Sequence, residues 1–422
     1  MAEPLLLSLS NLGEPRRADW IDLLEKRFAN ASKGKPCELS AHPDYPPLQA
    51  FRARDASLFA LCIEDEDRLG EGDGSRGSLV AVASLSKRTY PLLFTVGPKE
   101  IARTRIRVAA LFGSKVLLKT EDRDLVERAL LALDTADLDA VLLEAVSLDS
   151  FFGTTVAGSA RLHEHFNFHW LGDAALHRVA RLPETFDAYL QTWKSKRRNQ
   201  YRNLVRDFEA RCKGGMSVRT ATSVEDVEWL YTAFKEVGDK SWKADRFGEV
   251  ATESHRDVFR AMAEKGWLLS YVLFDGKKPV AVAFGCAMND AWLFEDTVYD
   301  PALADLSPGR VLLYLLFSDL IHRRIHLVDF GTGDNQYKEV FANDCCGERK
   351  LLLCRKTPKM IALGAALGVT HDVDHRLRHW MKEKELTETM RALARGNISW
   401  RDALSTVGER VWAKKTEVPK KD

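Results

Sequence analysis

The sequence predicts an α+β fold, with mixed central sheets flanked by helices in two units and a helical appendage at the C-terminus. Three observations lead there. At 422 residues the chain is too long for one ordinary core, and its 45% apolar content supplies sizeable ones. In the second half the segments run helices, strand, strand, strand, helix, strand, helix, strand, an order that suits α+β better than a doubly wound sheet. From Pro358 the composition shifts to helical segments with alternating charge and scattered apolar positions. The boundaries read 1–160, 161–356 and 357–422.

In chain order, Ser57 to Ile63 and Ser78 to Leu85 are β-rich runs separated by the polar, Gly-rich EDEDRLGEGDGSRGS. Tyr90 to Val96 and Ile106 to Phe112 are further strands, Glu121 to Leu133 is an amphipathic helix, and Ala140 to Val146 is an apolar strand. The second unit opens near His165 with a long helix over Phe186 to Lys213. Helices over Val224 to Val237 and Glu253 to Lys265 follow. Trp267 to Phe274, Asp275-Gly276 and Val280 to Met288 spell a β-hairpin. Trp292 to Tyr299 is a strand, Pro308 to Arg323 a helix, Ile325 to Phe330 a strand, and Lys350 to Arg355 the last strand. The closing AKKTEVPKKD is basic and expected to fray.

Composition excludes several classes. Lys+Arg 62 against Asp+Glu 61 leaves a net charge of +1, which argues against a protein built around nucleic acid. MAEPLLLSLSNLGEP lacks a positive leader and a sustained apolar core, so no signal peptide is expected. MIALGAALGV is far short of the ~20 residues that span a bilayer. Seven cysteines without framework spacing fit a reducing compartment, and a cytoplasmic location is expected. Neither Cys345-Cys346 nor the eleven histidines show metal-ligand spacing, so no metal is expected.

The richest stretch for chemistry is Ser307 to Phe341. Ser307 suits an N-cap and Pro308 the first helical position, so the helix should present its free amides as a phosphate-binding corner. A Gly-x-Gly-Asp turn after the Ile325–Phe330 strand feeds a short helix with Asp334 in its first turn and Tyr337 and Lys338 beyond. Asp329 reads as a substrate-orienting carboxylate or general base, with a structural turn cap as the alternative. Glu295 and Asp296 are unusual in the apolar strand WLFEDTVY, and one of them should face a cleft as a base. Arg198, Arg202 and Arg206 recur at i+4 spacing as a ridge suited to phosphates. Trp242 and Lys243 sit in an interhelical loop that can line the acceptor cleft. VDFGTGD lacks the third glycine and the following strands of a nucleotide-binding turn, and Asp-Phe-Gly stands without other kinase signatures.

Four pieces carry a resemblance: SWK (Ser241 to Lys243), GWLLSYVLFDGKKPVAVAFG, VYDPALADLSPG and DFGTGDNQYKEVF. Together they resemble the GNAT-superfamily acyltransferases of the CelD/BcsL type, associated with bacterial cellulose and other exopolysaccharide biosynthesis. That branch is similar in turn to the Fem peptidyltransferases. The resemblance runs strongly from about Phe186 to Leu353 and more weakly over the first 155 residues. It implies tandem GNAT folds with the N-terminal copy degenerate, and acyl-coenzyme A, acetyl-CoA above all, held at Asp300 to Arg310 through Ser307, Gly309 and Arg310. LSPGRV stands where many GNAT enzymes carry Q/R-x-x-G-x-G/A, and Fem-type relatives, which also lack the full loop, use aminoacyl-tRNA. Lys338, in YKEVF, matches the FKxxF lysine that Fem enzymes use to stabilise transition-state charge. A tyrosine protonates the departing thiolate in many GNAT enzymes, which implies that role for Tyr337 although it stands away from the usual position, with a packed aromatic as the alternative.

The leading expectation is therefore an acyl-CoA-dependent N- or O-acyltransferase acting on a sugar, polysaccharide precursor or other small acceptor. A Fem-like aminoacyl transferase is the second reading, with nucleic acid a partner only in that case. A non-catalytic accessory protein of a polysaccharide biosynthesis complex is the third.

Overall fold

The computed structural model describes residues 3–30, 41–45, 57–65, 77–96, 99–333 and 335–383. Thirteen strands form one sheet: β1 Leu5–Ser8, β2 Ser57–Glu64, β3 Leu79–Val96, β4 Lys99–Leu111, β5 Leu117–Leu118, β6 Ala140–Ser147, β7 Phe166–Arg181, β8 Met216–Ala221, β9 Ser270–Asp275, β10 Lys278–Met288, β11 Ala291–Tyr299, β12 Leu327–Thr332 and β13 Asp344–Arg355. The helices are α1 Glu14–Asn30, α2 Arg123–Leu131, α3 Phe151–Gly158, α4 Ala160–His165, α5 Phe186–Gln191, α6 Ser195–Arg211, α7 Val227–Gly238, α8 Trp242–Phe247, α9 Glu253–Glu264, α10 Pro308–His322, α11 Gln336–Phe341 and α12 Pro358–Glu383.

Across the sheet the order is β1-β2-β3-β4-β6-β13-β7-β12-β11-β10-β9-β8, with β5 on the side against β3. The two ends repeat one plan. A run of antiparallel strands leads to a single parallel pair, β4 with β6 at one end and β11 with β12 at the other. One crossover carrying a helix, α2 or α10, joins each parallel pair, as parallel strands require. The last strand of each half then crosses over. β7 pairs with β12, β13 pairs with β6, and β7 and β13 pair with each other in the middle.

Several elements differ from their sequence-based outline. The helix expected over Phe186 to Lys213 is two, α5 and α6, because the chain closes a turn at Thr192 and Trp193 and restarts at Ser195. Leu79–Val96 is one long strand, since Leu79–Lys87 pairs with β2 and Leu85–Val96 with β4, so its whole length has partners. β7 and the first half of β13 join the sheet through each other, a partnership that no local pattern signals. The chain after residue 383, including the basic end, lies outside the described residues. Among those described, no helix is long and apolar enough to cross a membrane.

Cores line both faces. On one, Trp20 of α1 packs into the same cluster as Phe234 of α7 and Phe259 of α9, so the two ends of the sheet share a core. On the other, α10 buries Val311, Leu312, Leu316, Phe317 and Leu320 against β10, β11 and β12. Trp292 is fully buried there and donates its indole N–H to the Leu269 carbonyl at 2.9 Å. Gly285 on the neighbouring β10 makes that packing possible: a Cβ on it would stand 2.2 Å from the Leu293 oxygen and 2.9 Å from the Trp292 ring. Gly285→Ala is therefore expected to destabilise the fold by ~1–3 kcal/mol through overpacking, seen as a lower urea midpoint with an unchanged slope.

A candidate active-site cleft between diverging strands

The parallel pair β11–β12 holds together over only three positions, Ala291, Trp292 and Leu293 against Leu327, Val328 and Asp329. Beyond that the strands part. β12 keeps its bonds to β7 out to Thr332, while β11 runs on to Tyr299 along β10. The gap is filled from inside by the ring of Tyr337, which lies 5.7 Å from Phe294 and 6.4 Å from Phe330 between centroids. In front of it opens a cleft of about 460 Å³ whose lining includes Trp242, Lys243, Asp296, Tyr299, Ser307, Gly309, Arg310, Gln336 and Tyr337. Seven of the residues singled out from sequence thus converge: Trp242, Lys243, Asp296, Ser307, Gly309, Arg310 and Tyr337.

The donor corner is built differently from its sequence outline. Ser307 makes no side-chain cap; its backbone is left-handed, at φ 49° and ψ 53°. The reason is that Ser307 also ends the 3-10 turn Pro301–Leu306, and its amide bonds back to Ala304 at 3.1 Å. That turn is anchored by the buried carboxylate of Asp300, which accepts from the Ala302 amide at 3.0 Å and from Lys278 at 2.8 Å. Pro308 then starts α10 without an N–H, leaving Gly309 in the first turn against the Tyr299 ring. Arg310 reaches across to Gln336 Oε1 at 2.5 Å, tying the two helices that flank the cleft.

A bulge decides between the two acids of β11. Phe284 pairs with Asp296 and Gly285 with Phe294, so Glu295 is the extra residue. Its carboxylate turns to the opposite side, where the Tyr45 hydroxyl lies at 3.5 Å; Glu295 does not line the cleft. Asp296 does, ion-paired with Lys243, whose ammonium also donates to the Thr297 carbonyl at 3.0 Å. Burial pushes the Tyr337 phenol up to about 12, with the charge of Asp296 adding to it, so it stays protonated near neutral pH.

Lys338 and Asp329 hold the turn behind the cleft. Lys338 is 7% exposed and donates to the Phe330 carbonyl at 2.6 Å and the Thr332 carbonyl at 2.8 Å. Burial depresses its pKa, and it does not line the cleft. Asp329 accepts from the Gly331 amide and from His177 Nε2, both at 2.7 Å. Gly331 and Gly333 then take positive φ, 63° and 126°, to turn the chain into α11. Asp334 lies outside the described residues. Arg198 is spent on structure: its guanidinium donates to the Trp193 carbonyl at 2.7 Å and to Ser195 Oγ at 3.0 Å, closing the α5–α6 break. Arg202 is exposed on α6, away from the cleft lining.

Sequence reasoning missed His177. It sits on β7, 14% exposed, between Asp329 and Glu348, whose Oε2 lies 3.0 Å from His177 Nδ1. Burial disfavours its charge, yet the two carboxylates outweigh that and push the pKa up to about 10. Nothing local marks it, because its partners come from strands more than 150 residues away.

Residues 195–339 match the family described as acetyltransferase (GNAT) domain, a span that holds the whole cleft. No curated protein matches. Among solved structures, FemX is similar at 11% identity with a TM-score of 0.54, over 86% of this chain and 100% of its own. A tandem GNAT protein from the clavulanic acid biosynthesis pathway is 12% identical over 84% of this chain and 99% of its own, with a TM-score of 0.44. The chain has the GNAT fold, and its residues 195–339 are similar to the acetyltransferase (GNAT) domain family.

Proposed function

We propose that the chain is an acyl-CoA-dependent acyltransferase that moves an acyl group, acetyl in the simplest case, onto an amine or hydroxyl of a sugar, polysaccharide precursor or other small acceptor. The observation that carries this reading is the meeting, in one cleft, of a carboxylate, a protonated phenol and a cationic helix N-terminus: Asp296, Tyr337 and the Ser307–Arg310 corner. Acyl-CoA supplies, when bound, a thioester carbonyl and anionic phosphates. Arg310 and the Gly309 amide suit those phosphates, and α10 adds the positive end of its dipole.

The transfer requires that the acceptor nitrogen or oxygen bond to the acyl carbon while the C–S bond breaks. Asp296 takes the acceptor proton; Lys243 keeps it aimed. Tyr337 gives its proton to the departing sulfur, a task for which a phenol held neutral by burial is suited. Lys338 acts here through the turn, since its ammonium is occupied by two carbonyls.

A second reading takes aminoacyl-tRNA as donor. The FemX-like fold favours it, as do the exposed cations Lys196, Arg202 and Arg206 on α6. Calorimetry separates the two. Acetyl-CoA is expected to bind with a Kd on the order of micromolar, and Arg310→Ala to weaken it ~10-fold or more, the scale of one charge-assisted hydrogen bond. Absence of acetyl-CoA binding together with retardation of tRNA would move the assignment to the second reading.

Tyr337→Phe keeps the ring between Phe294 and Phe330 and removes only the hydroxyl. It is expected to leave the melting temperature unchanged and to lower kcat by ~10²–10⁴-fold, the range for loss of a general acid. Asp296→Asn should fall in the same range. Full turnover in both variants would remove them from the chemistry.

A further inference from the structure

The cleft belongs to the C-terminal half of the chain, yet the turn behind it is held by a strand that ends the N-terminal half. β12 and β7 pair in register at Asp329 with Val179 and next at Thr332 with His177. β12 advances three residues there while β7 advances two, so β12 bulges directly opposite His177. The Gly333 amide bonds to the Leu176 carbonyl at 3.3 Å, a second tie from the same strand to the same turn. His177 fills the bulge with its side chain. Its Nε2 meets Asp329 Oδ1, and that same oxygen accepts the Gly331 amide.

From the far side Glu348 of β13 approaches Nδ1, lying diagonal to His177 on the same face, since Cys346 is the residue paired with His177. The imidazole therefore stands between two carboxylates contributed by two other strands. The neighbouring titratable groups are the Cys346 thiol, raised to about 11 chiefly by burial, and Lys338 of α11, whose ammonium feels Asp329.

We propose that His177 is a positioning residue for the cleft. Through Asp329 it fixes the Gly331–Gly333 turn, and through the turn it sets where α11 presents Gln336 and Tyr337. Part of the support of the site then comes from β7, a strand that precedes the matched span of residues 195–339. A side chain at 177 without a donor would leave Asp329 with the Gly331 amide alone among the hydrogen bonds of the described residues, a single bond on a buried carboxylate. The turn would lose its side-chain tie to β7, and Tyr337 would lose its fixed place between the strands. The kinetic part of this rests on the acyltransferase reading; the structural part does not.

Two measurements on the full chain test it, each with His177→Phe, which keeps a ring of similar size without a donor, and the milder Glu348→Gln, which keeps the His177–Asp329 bond. Amide hydrogen exchange is expected to speed up ~10-fold or more over residues 331–341 in His177→Phe, with residues 308–322 unchanged, and less in Glu348→Gln. With acetyl-CoA as donor, kcat is expected to fall ~10-fold or more while the KM for acetyl-CoA stays within about threefold, the signature of a displaced acid rather than a lost binding contact. Unchanged exchange over 331–341 overturns the proposal. So does a uniform acceleration through β7, β12 and β13 with kcat intact, which would make His177 an ordinary sheet fastener. If the wild-type chain transfers no acetyl group, the functional reading fails, and the exchange data still decide whether His177 holds the turn.

Discussion

The exchange of final strands at the centre of the sheet is the constraint on which the rest of the structure depends. β7 closes the N-terminal half in sequence yet lies between β12 and β13; β13 closes the C-terminal half yet lies between β7 and β6. Until β13 arrives, the β6 edge that carries the fully buried Val141, Leu142 and Leu143 has no partner on that side. An open apolar edge of that kind is a site for wrong pairing. Closing it requires a contact between residues about 200 positions apart, such as Leu142 with Leu352. The entropy of so long a loop grows only slowly with its length, by ~0.6 kcal/mol per doubling, so the burden falls on folding rate more than on stability. The shared core that joins Trp20 to Phe234 and Phe259 follows the same logic, since two halves that complete each other's sheet also pack one continuous face.

The same exchange explains why the two halves, built on one plan, give a single cleft. At the C-terminal end β12 is held along β7 as far as Thr332, which draws it away from β11 after Asp329 and opens the space that Tyr337 and α11 occupy. At the N-terminal end the parallel pair β4–β6 also runs briefly, from Val108 with Ala140 to Leu111 with Leu143. There the chain turns at once, and Ser114 Oγ accepts the Ala145 amide at 2.8 Å. The hydroxyl bridges the place where a gap would begin. A polar side chain just past the end of β4 thus ties it to β6 at the point where the β11–β12 pair has already parted.

How much of this could be read in the sequence follows from the range of the interactions involved. α10 and β9–β10 were legible because a Pro-started apolar helix and an Asp-Gly hairpin announce themselves within a few residues. The meeting of Trp242, Lys243, Asp296, Gly309, Arg310 and Tyr337 was legible as a set, through the family pattern, although no one of them signals it alone. β7 was not, because FNFHWLGDAALHRVAR has a Gly-Asp interruption and finds its partners far along the chain. The choice between Glu295 and Asp296 was equally hidden. Alternation along β11 would assign them to opposite faces but cannot say which faces the cleft, and the bulge at Glu295 resets the count. Ser307 misled for a related reason: its type suits a cap, while the 3-10 turn before it dictates its backbone.

Lys338 shows how far a motif match reaches before geometry takes over. Tyr337 and Lys338 are neighbours on a short helix, about 100° apart around its axis, so they cannot both point into one cleft. One must turn toward the interior. The end of β12 brings the Phe330 and Thr332 carbonyls within reach of one ammonium, and a buried carbonyl without a donor costs about 1–3 kcal/mol. A lysine is the side chain that can satisfy both from a helix one turn away, and the aromatic neighbour is the one whose ring fits between Phe294 and Phe330. Position 338 therefore goes to the clamp and position 337 to the cleft. Once the ammonium is committed to the turn, the cationic side chains left to line the cleft are Lys243 and Arg310, and under the proposed transfer Tyr337 is the group placed to give a proton.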